Sequence, residues 1–430
     1  MRSFEVLKFA LSTVAALTLL SACDASDATS ENSRSAQPRA AKLVQLVAKP
    51  VVAAPETAGI SYPFGSHKVA YVAGIKPSQE PQETQDALIR SRYDAWKSGV
   101  SQRCGGYVVD FKASYATVSE GMGYGMLLTV LMAGHDTAAR TLFDGFFKVV
   151  RNRPAFKVDP ALMDWRINTD CSSAGDGYNA MDGDLDIAMA LLMADRQWGS
   201  GGAVNYKAEG LKTIAALKRH NMHPDGHTKG LPNQNNSRTS DYMITHFKAF
   251  KRATGDPFWD LATDRAFGLL ELMQTKHAPA TGLLPDFIIK LDTADPVPSP
   301  GWVADNNENE GYYFWNACRI PWRLASDYVT TGDVRSKQIA SRLTEFFLRA
   351  SEGKPGQIQS GYKLDGKGLS TYAAPAFIGP ATAGAMVDAR FQPFLNSLWS
   401  YSRANAAKGY YESELQLLSL VVASGNWWNP

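Results

Sequence analysis

Asp182-Gly183-Asp184-Leu185-Asp186-Ile187-Ala188 opens a segment that stays apolar nearly all round through Leu191 and Leu192. A helix at a protein surface confines its apolar residues to one stripe, so a helix apolar on every side is covered on both faces. The run around Val130 and Leu131 reads the same way. Outward from these two runs, the helical period recurs along the chain from about Ser61. Twelve helices are expected, starting near Asp86, Ser119, Thr137, Asp182, Asn205, Ser240, Pro257, Tyr313, Asp333, Pro375, Phe391 and Tyr410. Ser240 before Asp241, Asp256-Pro257 and Asp333 supply start signals, and Gly134, Gly255 and Gly332 supply stops. Period-two alternation is sparse, which argues against a parallel sheet. The expectation is an all-α fold in which six helical hairpins close into a ring, an (α/α)6 barrel, over residues 61–430. An open helical solenoid is the alternative, but no fixed-period repeat supports it. The longest linker, from about Ala278 to Gly311, carries Pro279, Pro285, Pro296, Pro298 and Pro300. Long loops inside compact domains are often functional.

Composition narrows the function classes. The 430 residues include 44 Lys plus Arg against 42 Asp plus Glu, a net charge of +2, with 45% hydrophobic and 20% charged residues. That excludes a disordered or polyionic protein. It also argues against a nucleic-acid partner, because phosphate binding needs a basic field. Ten Trp, 17 Tyr and 19 Phe suit a large core or a cleft that stacks flat ligands. Four cysteines are too few for a disulfide scaffold.

The first 22 residues read as an address. Arg2 and Lys8 flank the start, Phe9 to Leu20 is largely apolar, and small residues follow. The apolar run falls short of the roughly 20 residues that a membrane-spanning helix needs. Leu20-Ser21-Ala22-Cys23 resembles the bacterial lipobox, which implies a lipidated Cys23 at the start of the mature chain. An ordinary cleaved signal with an incidental Cys23 is the simpler reading. Removing residues 1–22 takes Arg2, Lys8 and Glu5 and leaves the charge balance near neutral. Residues 23–60, rich in Ala, Ser, Pro and mixed charge, read as a flexible tether.

Three acidic places stand out. In Ala116-Thr117-Val118-Ser119-Glu120-Gly121-Met122-Gly123-Tyr124-Gly125-Met126, a glutamate sits beside three glycines and a tyrosine at the mouth of an apolar helix. Apolar surroundings raise a carboxyl pKa, as a general acid requires. Thr117-x-x-Glu120 also fits a capping box, in which Glu120 serves only the helix start. The aspartates Asp182, Asp184 and Asp186 open another apolar helix and could complement its dipole or hold a sugar by its hydroxyls. The remaining ligands of a calcium loop are absent. The third place is Asp305, Glu308 and Glu310, followed at once by the aromatic run Tyr312-Tyr313-Phe314-Trp315, which suits a saccharide-facing wall.

These segments resemble glycoside hydrolase family 8, bacterial inverting enzymes that cut β-1,4 and mixed-linkage glycans. Ala116 to Met126 is similar to the family's general-acid motif, which implies Glu120 as proton donor. Ala180-Met181-Asp182-Gly183-Asp184-Leu185-Asp186-Ile187-Ala188 is similar to its second signature, with Met181 in place of the usual Ser or Thr. That likeness implies that Asp182 sits at the central subsite and helps to distort the sugar ring. Arg238-Thr239-Ser240-Asp241-Tyr242-Met243, Asn316-Ala317-Cys318-Arg319-Ile320-Pro321-Trp322-Arg323 and Gly425-Asn426-Trp427-Trp428 also resemble family segments. The likeness runs in order from about Ser61 to Pro430, and the family fold is an (α/α)6 barrel. One departure matters: cellulase-like branches have their general-base aspartate where this chain has Asn316, and an amide cannot take a proton from water. The branch with chitosanases and lichenases also has Asn there and takes its base from a glutamate in the loop upstream. This implies Glu308 as base, with Glu310 and Asp305 as fallbacks.

Tyr124, Trp165, Tyr178, Asn316 and Arg319 are the candidate substrate contacts; for Trp165 and the two tyrosines a place in the core is the rival reading. His220, His223 and His227 have suggestive metal spacing, but Pro224 and Gly226 break any helix there, so neither metal nor cofactor is expected. Gly121, Gly123 and Gly125 do not form a dinucleotide fingerprint. Cys318 is expected to be buried, and an exported chain could pair Cys104 with Cys171. The chain is therefore expected to be an exported, lipid-anchored, monomeric endo-glycosidase facing the periplasm or cell exterior. Its polysaccharide substrate would be β-glucan first, chitosan second and xylan third. A non-catalytic glycan-binding lipoprotein and a helical scaffold are the rivals from other classes.

Overall fold

Helices that are apolar on all sides need neighbours on all sides, and a computed structural model shows how the chain supplies them. It describes residues 59–111, 115–230 and 235–430. The signal-like segment, Cys23 and all but the last two residues of the tether lie outside these.

Twelve α-helices are present among the described residues: α1 (Gln82–Lys97), α2 (Ser119–Leu131), α3 (Ala139–Asn152), α4 (Met181–Trp198), α5 (Tyr206–Asn221), α6 (Ile244–Thr254), α7 (Phe258–Leu272), α8 (Ile320–Thr331), α9 (Val334–Ala350), α10 (Pro375–Gly384), α11 (Gln392–Ala404) and α12 (Tyr410–Ala423). The even-numbered helices form a closed ring in the order α2, α4, α6, α8, α10, α12 and back to α2. Each odd-numbered helix packs outside an even one: α1 on α12, α3 on α2, α5 on α4, α7 on α6, α9 on α8 and α11 on α10. This is the (α/α)6 barrel.

The sequence separates the two layers. In α2 every residue but Glu120 is buried, and in α10 every residue but Pro375. The outer α3 instead buries one stripe, Leu142, Phe143, Phe146, Phe147, Val149 and Val150. Glycines let the inner helices approach closely. A Cβ on Gly123 would lie 2.8 Å from the Asp186 Cβ, and one on Gly183 would lie 2.5 Å from Ser119, so α2 and α4 meet backbone to backbone.

Nine short strands among the described residues, which the sparse alternation did not reveal, lie in the connections from odd-numbered to even-numbered helices. They are β1 (Val100–Arg103), β2 (Gly106–Val109), β3 (Tyr115–Val118), β4 (Pro154–Ala155), β5 (Asp159–Met163), β6 (Arg166–Asn168), β7 (Asn236–Arg238), β8 (Phe287–Ile289) and β9 (Val297–Pro298). All pair antiparallel, as β1-β2, β3-β6, β4-β5 and β7-β8-β9. A disulfide between Cys104 and Cys171 joins the β1-β2 turn to the loop after β6. Cys318 is free and buried. Among the described residues, no helix is long and apolar enough to cross a membrane.

Eleven helix starts fall within about four residues of those expected. The exception is α8, expected near Tyr313 and observed at Ile320. The buried Asp286 carboxylate accepts the amides of Phe314 (3.0 Å), Asn316 (3.1 Å) and Ala317 (2.6 Å), which holds this stretch out of the helix.

Candidate active site

The N-terminal ends of five inner helices converge on one cluster of charges. Glu120 is the second residue of α2 and Asp182 the second of α4. Arg238 ends β7 ahead of α6, Arg319 directly precedes α8, and Tyr410 opens α12. Arg319 Nη1 donates to Glu120 Oε1, and to Asp182 Oδ2 at 2.8 Å. Arg238 Nη1 lies 3.0 Å from the same Asp182 oxygen. Tyr124 and Tyr410 hydroxyls donate to the two Glu120 oxygens, at 3.3 and 3.2 Å.

Glu120 does not cap its own helix. The residue at the cap position is Val118, no side chain caps the helix, and the Thr117 hydroxyl turns to the Val118 carbonyl. The capping-box reading is therefore excluded. Burial instead pushes the Glu120 carboxyl up to about 7. Arg319 and Arg238 pull it down, the Asp182 charge pushes it up, and burial prevails. Its side chain keeps 15% exposure, enough to meet a ligand. Asp182 shows the opposite balance. Burial opposes its charge too, but Arg238 and Arg319 outweigh burial and hold its carboxyl well below the usual range. Two carboxyls bridged by one guanidinium are thus shifted in opposite directions, Glu120 toward its neutral acid and Asp182 toward its anion.

The other aspartates of the Asp182–Asp186 run hold the frame. Asp184 accepts the Met163 amide at 2.9 Å and the Asn179 amide at 3.0 Å, which ties α4 to β5, and burial raises its carboxyl to about 7. Asp186 pairs with Arg323 of α8 and His246 of α6.

Asn316 belongs to the cluster. Its Oδ1 accepts from Arg319 Nη2 at 2.7 Å, and its Nδ2 donates to Asp286 at 3.1 Å. Burial raises the Asp286 carboxyl to about 6. The three acidic loop candidates separate clearly. Glu310 is buried, and its carboxylate accepts amides of Val303, Ala304 and Asp305 and the Ser299 hydroxyl. Burial opposes its charge, but these donors hold its carboxyl low. Both oxygens are occupied, so the fallback role of Glu310 as a base is not sustained: it is the pin on which the loop folds. Glu308 and Asp305 are exposed on that loop.

Two expected sugar contacts are corrected. Tyr124 has no exposed surface, its ring meets Trp322 edge-on, and only its hydroxyl reaches the site. Arg319 is 1% exposed, with its guanidinium committed to Glu120, Asp182 and Asn316, so it orders the carboxyls. In the aromatic run after Glu310, Tyr313 is buried in the core and Trp315 packs on Phe377. The Trp165 carbonyl accepts the Ser119 amide at 2.9 Å, beside Glu120, and Tyr178 keeps 38% exposure.

Sequence reasoning missed Arg238, Tyr410 and Asp286 as site residues. Arg238 lies in a segment already noted, and its neighbour Asp241, 3.2 Å from its Nε, was the available signal. Tyr410 is 290 residues from Glu120 in sequence, and no local pattern marks it. Of the histidines, His220 bonds Asp159, whereas His223, Asp225 and His227 lie within 4.8 Å of one another. The two rings stack at 4.3 Å and 13°, and both Nδ1 atoms face Asp225 Oδ1, at 3.0 Å from His223 and 2.6 Å from His227. Arg265 also faces Asp225 at 3.4 Å.

A raised glutamate and a charged aspartate, bridged by one arginine at the mouth of a helical barrel, suit acid-catalysed glycan cleavage. The profile of glycosyl hydrolases family 8 matches residues 83–425. The chain belongs to this family. A β-glucanase of Niallia circulans is 35% identical over 375 residues, covering 85% of this chain and 91% of that one. An endoglucanase of Bacillus sp. (strain KSM-330) is 34% identical over 84% of this chain and 81% of its own length. The apo structure of a β-1,3-1,4-glucanase from Paenibacillus sp. X4 superposes with a TM-score of 0.83 at 34% identity, covering 88% of this chain and all of that one. As a family 8 member, the chain is a glycoside hydrolase.

Proposed function

We propose that this glycosidase is an endo-acting, inverting β-glucanase whose proton donor is Glu120. The observation that carries the reading is the Glu120 environment: a buried carboxyl raised to about 7, still partly exposed, and fixed by Arg319, Tyr124 and Tyr410. A general acid must hold its proton at the working pH and release it to the leaving oxygen, and a pKa near neutrality meets both needs. Asp182, held ionised beside Glu120 by Arg238 and Arg319, favours the positive charge that develops on the sugar ring at the bond to be cut. Glu308 activates the water that attacks from the opposite face. An inverting pair stands roughly 6.5–9.5 Å apart to admit that water. An exposed carboxylate on a pinned loop suits the role better than one saturated by amides.

β-Glucan is placed first because the glucanases described above share about a third of their residues with this chain over most of its length. We also infer export and lipid anchoring at Cys23, on the pattern of residues 1–23; the Cys104–Cys171 disulfide fits an oxidising compartment.

The test is reducing-end release from barley β-glucan, carboxymethylcellulose, chitosan and xylan by the chain lacking residues 1–60, beside a Glu120→Gln control. Release from β-glucan, abolished in the control, is expected. Binding of glucan without release by the folded wild type would instead mark a non-catalytic glycan-binding protein.

A further inference from the structure

Phe156, between β4 and β5, is 64% exposed, although burying a phenyl ring is among the larger favourable steps in folding. Its position is built rather than incidental. The distal half of its ring lies over Gly177, where an added Cβ would come within 2.5 Å of Cζ. The Lys157 amide donates to the Gly177 carbonyl at 3.0 Å, which ties the β4-β5 turn to the segment between β6 and α4. Two residues earlier, an added Cβ on Gly175 would lie 2.0 Å from Asp164 Oδ1 and 2.5 Å from Trp165 Cδ1. Two glycines therefore make room for two aromatic rings.

These rings connect to the acid through the backbone. The Ser119 amide, next to Glu120, donates to the Trp165 carbonyl at 2.9 Å, and the Trp165 amide donates to the Tyr178 carbonyl at 2.9 Å. Tyr178, 38% exposed, adjoins Gly177 and hence Phe156. Backbone hydrogen bonds thus link Trp165, then the Gly177–Tyr178 stretch, then the Phe156–Lys157 turn to the residue beside Glu120. Lys157 over Tyr178 and Arg166 over Trp165 brace the first two rings and leave Phe156 the most open.

We propose that Phe156 is an outer sugar-binding residue, the distal end of an aromatic strip that carries a glucan chain away from Glu120. The phenyl ring offers no polar group, so its ligand presents a flat, uncharged C–H face, as a β-linked glucopyranose does. The inference rests on the glucanase reading above and adds that chain length, not only linkage, is sensed on this wall.

The experiment compares wild type, Phe156→Ala and Phe156→Trp on β-glucan hexasaccharides and tetrasaccharides. Phe156→Ala is expected to lower the ratio of kcat/KM for hexasaccharide over tetrasaccharide about fivefold, and Phe156→Trp to restore it. An unchanged ratio in Phe156→Ala overturns the proposal. Calorimetric binding of the hexasaccharide to Glu120→Gln, with and without Phe156→Ala, reads the same contact without turnover. A weakening of about fivefold is expected there, and equal affinity overturns the proposal. A Glu120→Gln chain that still cleaves glucan brings down the function reading and leaves the Phe156 comparison readable.

Discussion

The acid side and the loop side of this site are built by opposite means. Glu120 stands on an inner barrel helix whose other residues are all buried, and three side chains hold its carboxyl. Glu308 stands on a loop that owes its shape to one buried carboxylate, Glu310, which gathers the amides of Val303, Ala304 and Asp305. The contrast suits the roles proposed for the two groups. A proton donor needs its neutral form stabilised, which burial achieves. A group that deprotonates water needs its charge and access to solvent, which exposure preserves. The barrel core supplies the first condition and cannot supply the second.

Among the variants that test this contrast, the largest effect is expected on the loop side. Glu308→Gln should lower kcat on β-glucan at least a hundredfold with the fold intact, since general-base catalysis contributes about 10²–10⁴. Full activity in that variant would remove Glu308 from the mechanism. Next, Arg319→Met should break the bridge between the two carboxyls. Removing one partner of a buried ion pair costs about 3–5 kcal/mol, so a fall in the thermal midpoint of several degrees is expected. Without the guanidinium the Glu120 pKa rises, so the alkaline limb of the kcat/KM profile, near 7 in the wild type, should move to higher pH. A limb that stays in place would show that Arg319 does not govern the acid. A smaller effect is expected from Glu310→Gln, which keeps shape but loses charge toward four donors. It should lower kcat about tenfold through a misplaced loop while the alkaline limb stays near 7, because the acid side is untouched. A shifted limb would mean that the two sides are not independent.

Much of this was legible in the sequence. Eleven of the helix starts were legible, the outer helices through an apolar stripe of 3.6-residue period such as that of α3, and inner ones such as α2 through uniform apolarity. The strands escaped because each is two to five residues long, too short for alternation to register. Glu120 and Asp182 were visible as carboxylates flanked by glycines; the close α2–α4 contact explains Gly123 and Gly183, and Tyr410 packs against Gly121. Tyr410 and Asp286 were not visible, since their roles depend on neighbours that only the closed ring and the Pro285–Pro300 linker bring near. Tyr124 misled for a related reason. Its place beside Glu120 was read correctly, but the turn of α2 directs its ring into the core.

The smallest expected effect concerns stability. Glu120 and Asp184 are raised to about 7, and Asp241 and Asp286 to about 6, above the ordinary carboxyl range. In this window the folded chain binds more protons than the unfolded one, so stability is present below the ordinary carboxyl pKa values and is lost as pH rises through 6 and 7. The thermal midpoint should be higher at pH 5 than at pH 8. Asp182, held low, works the other way only in stronger acid.

The most direct test of Glu120 as proton donor varies the leaving group. Glu120→Gln should lose about 10³-fold in kcat on β-glucan, whose leaving sugar oxygen needs a proton, and far less on a 2,4-dinitrophenyl β-glucan oligosaccharide, whose leaving group departs without one. Equal losses on both substrates would contradict the account and leave Glu120 as a structural or binding residue.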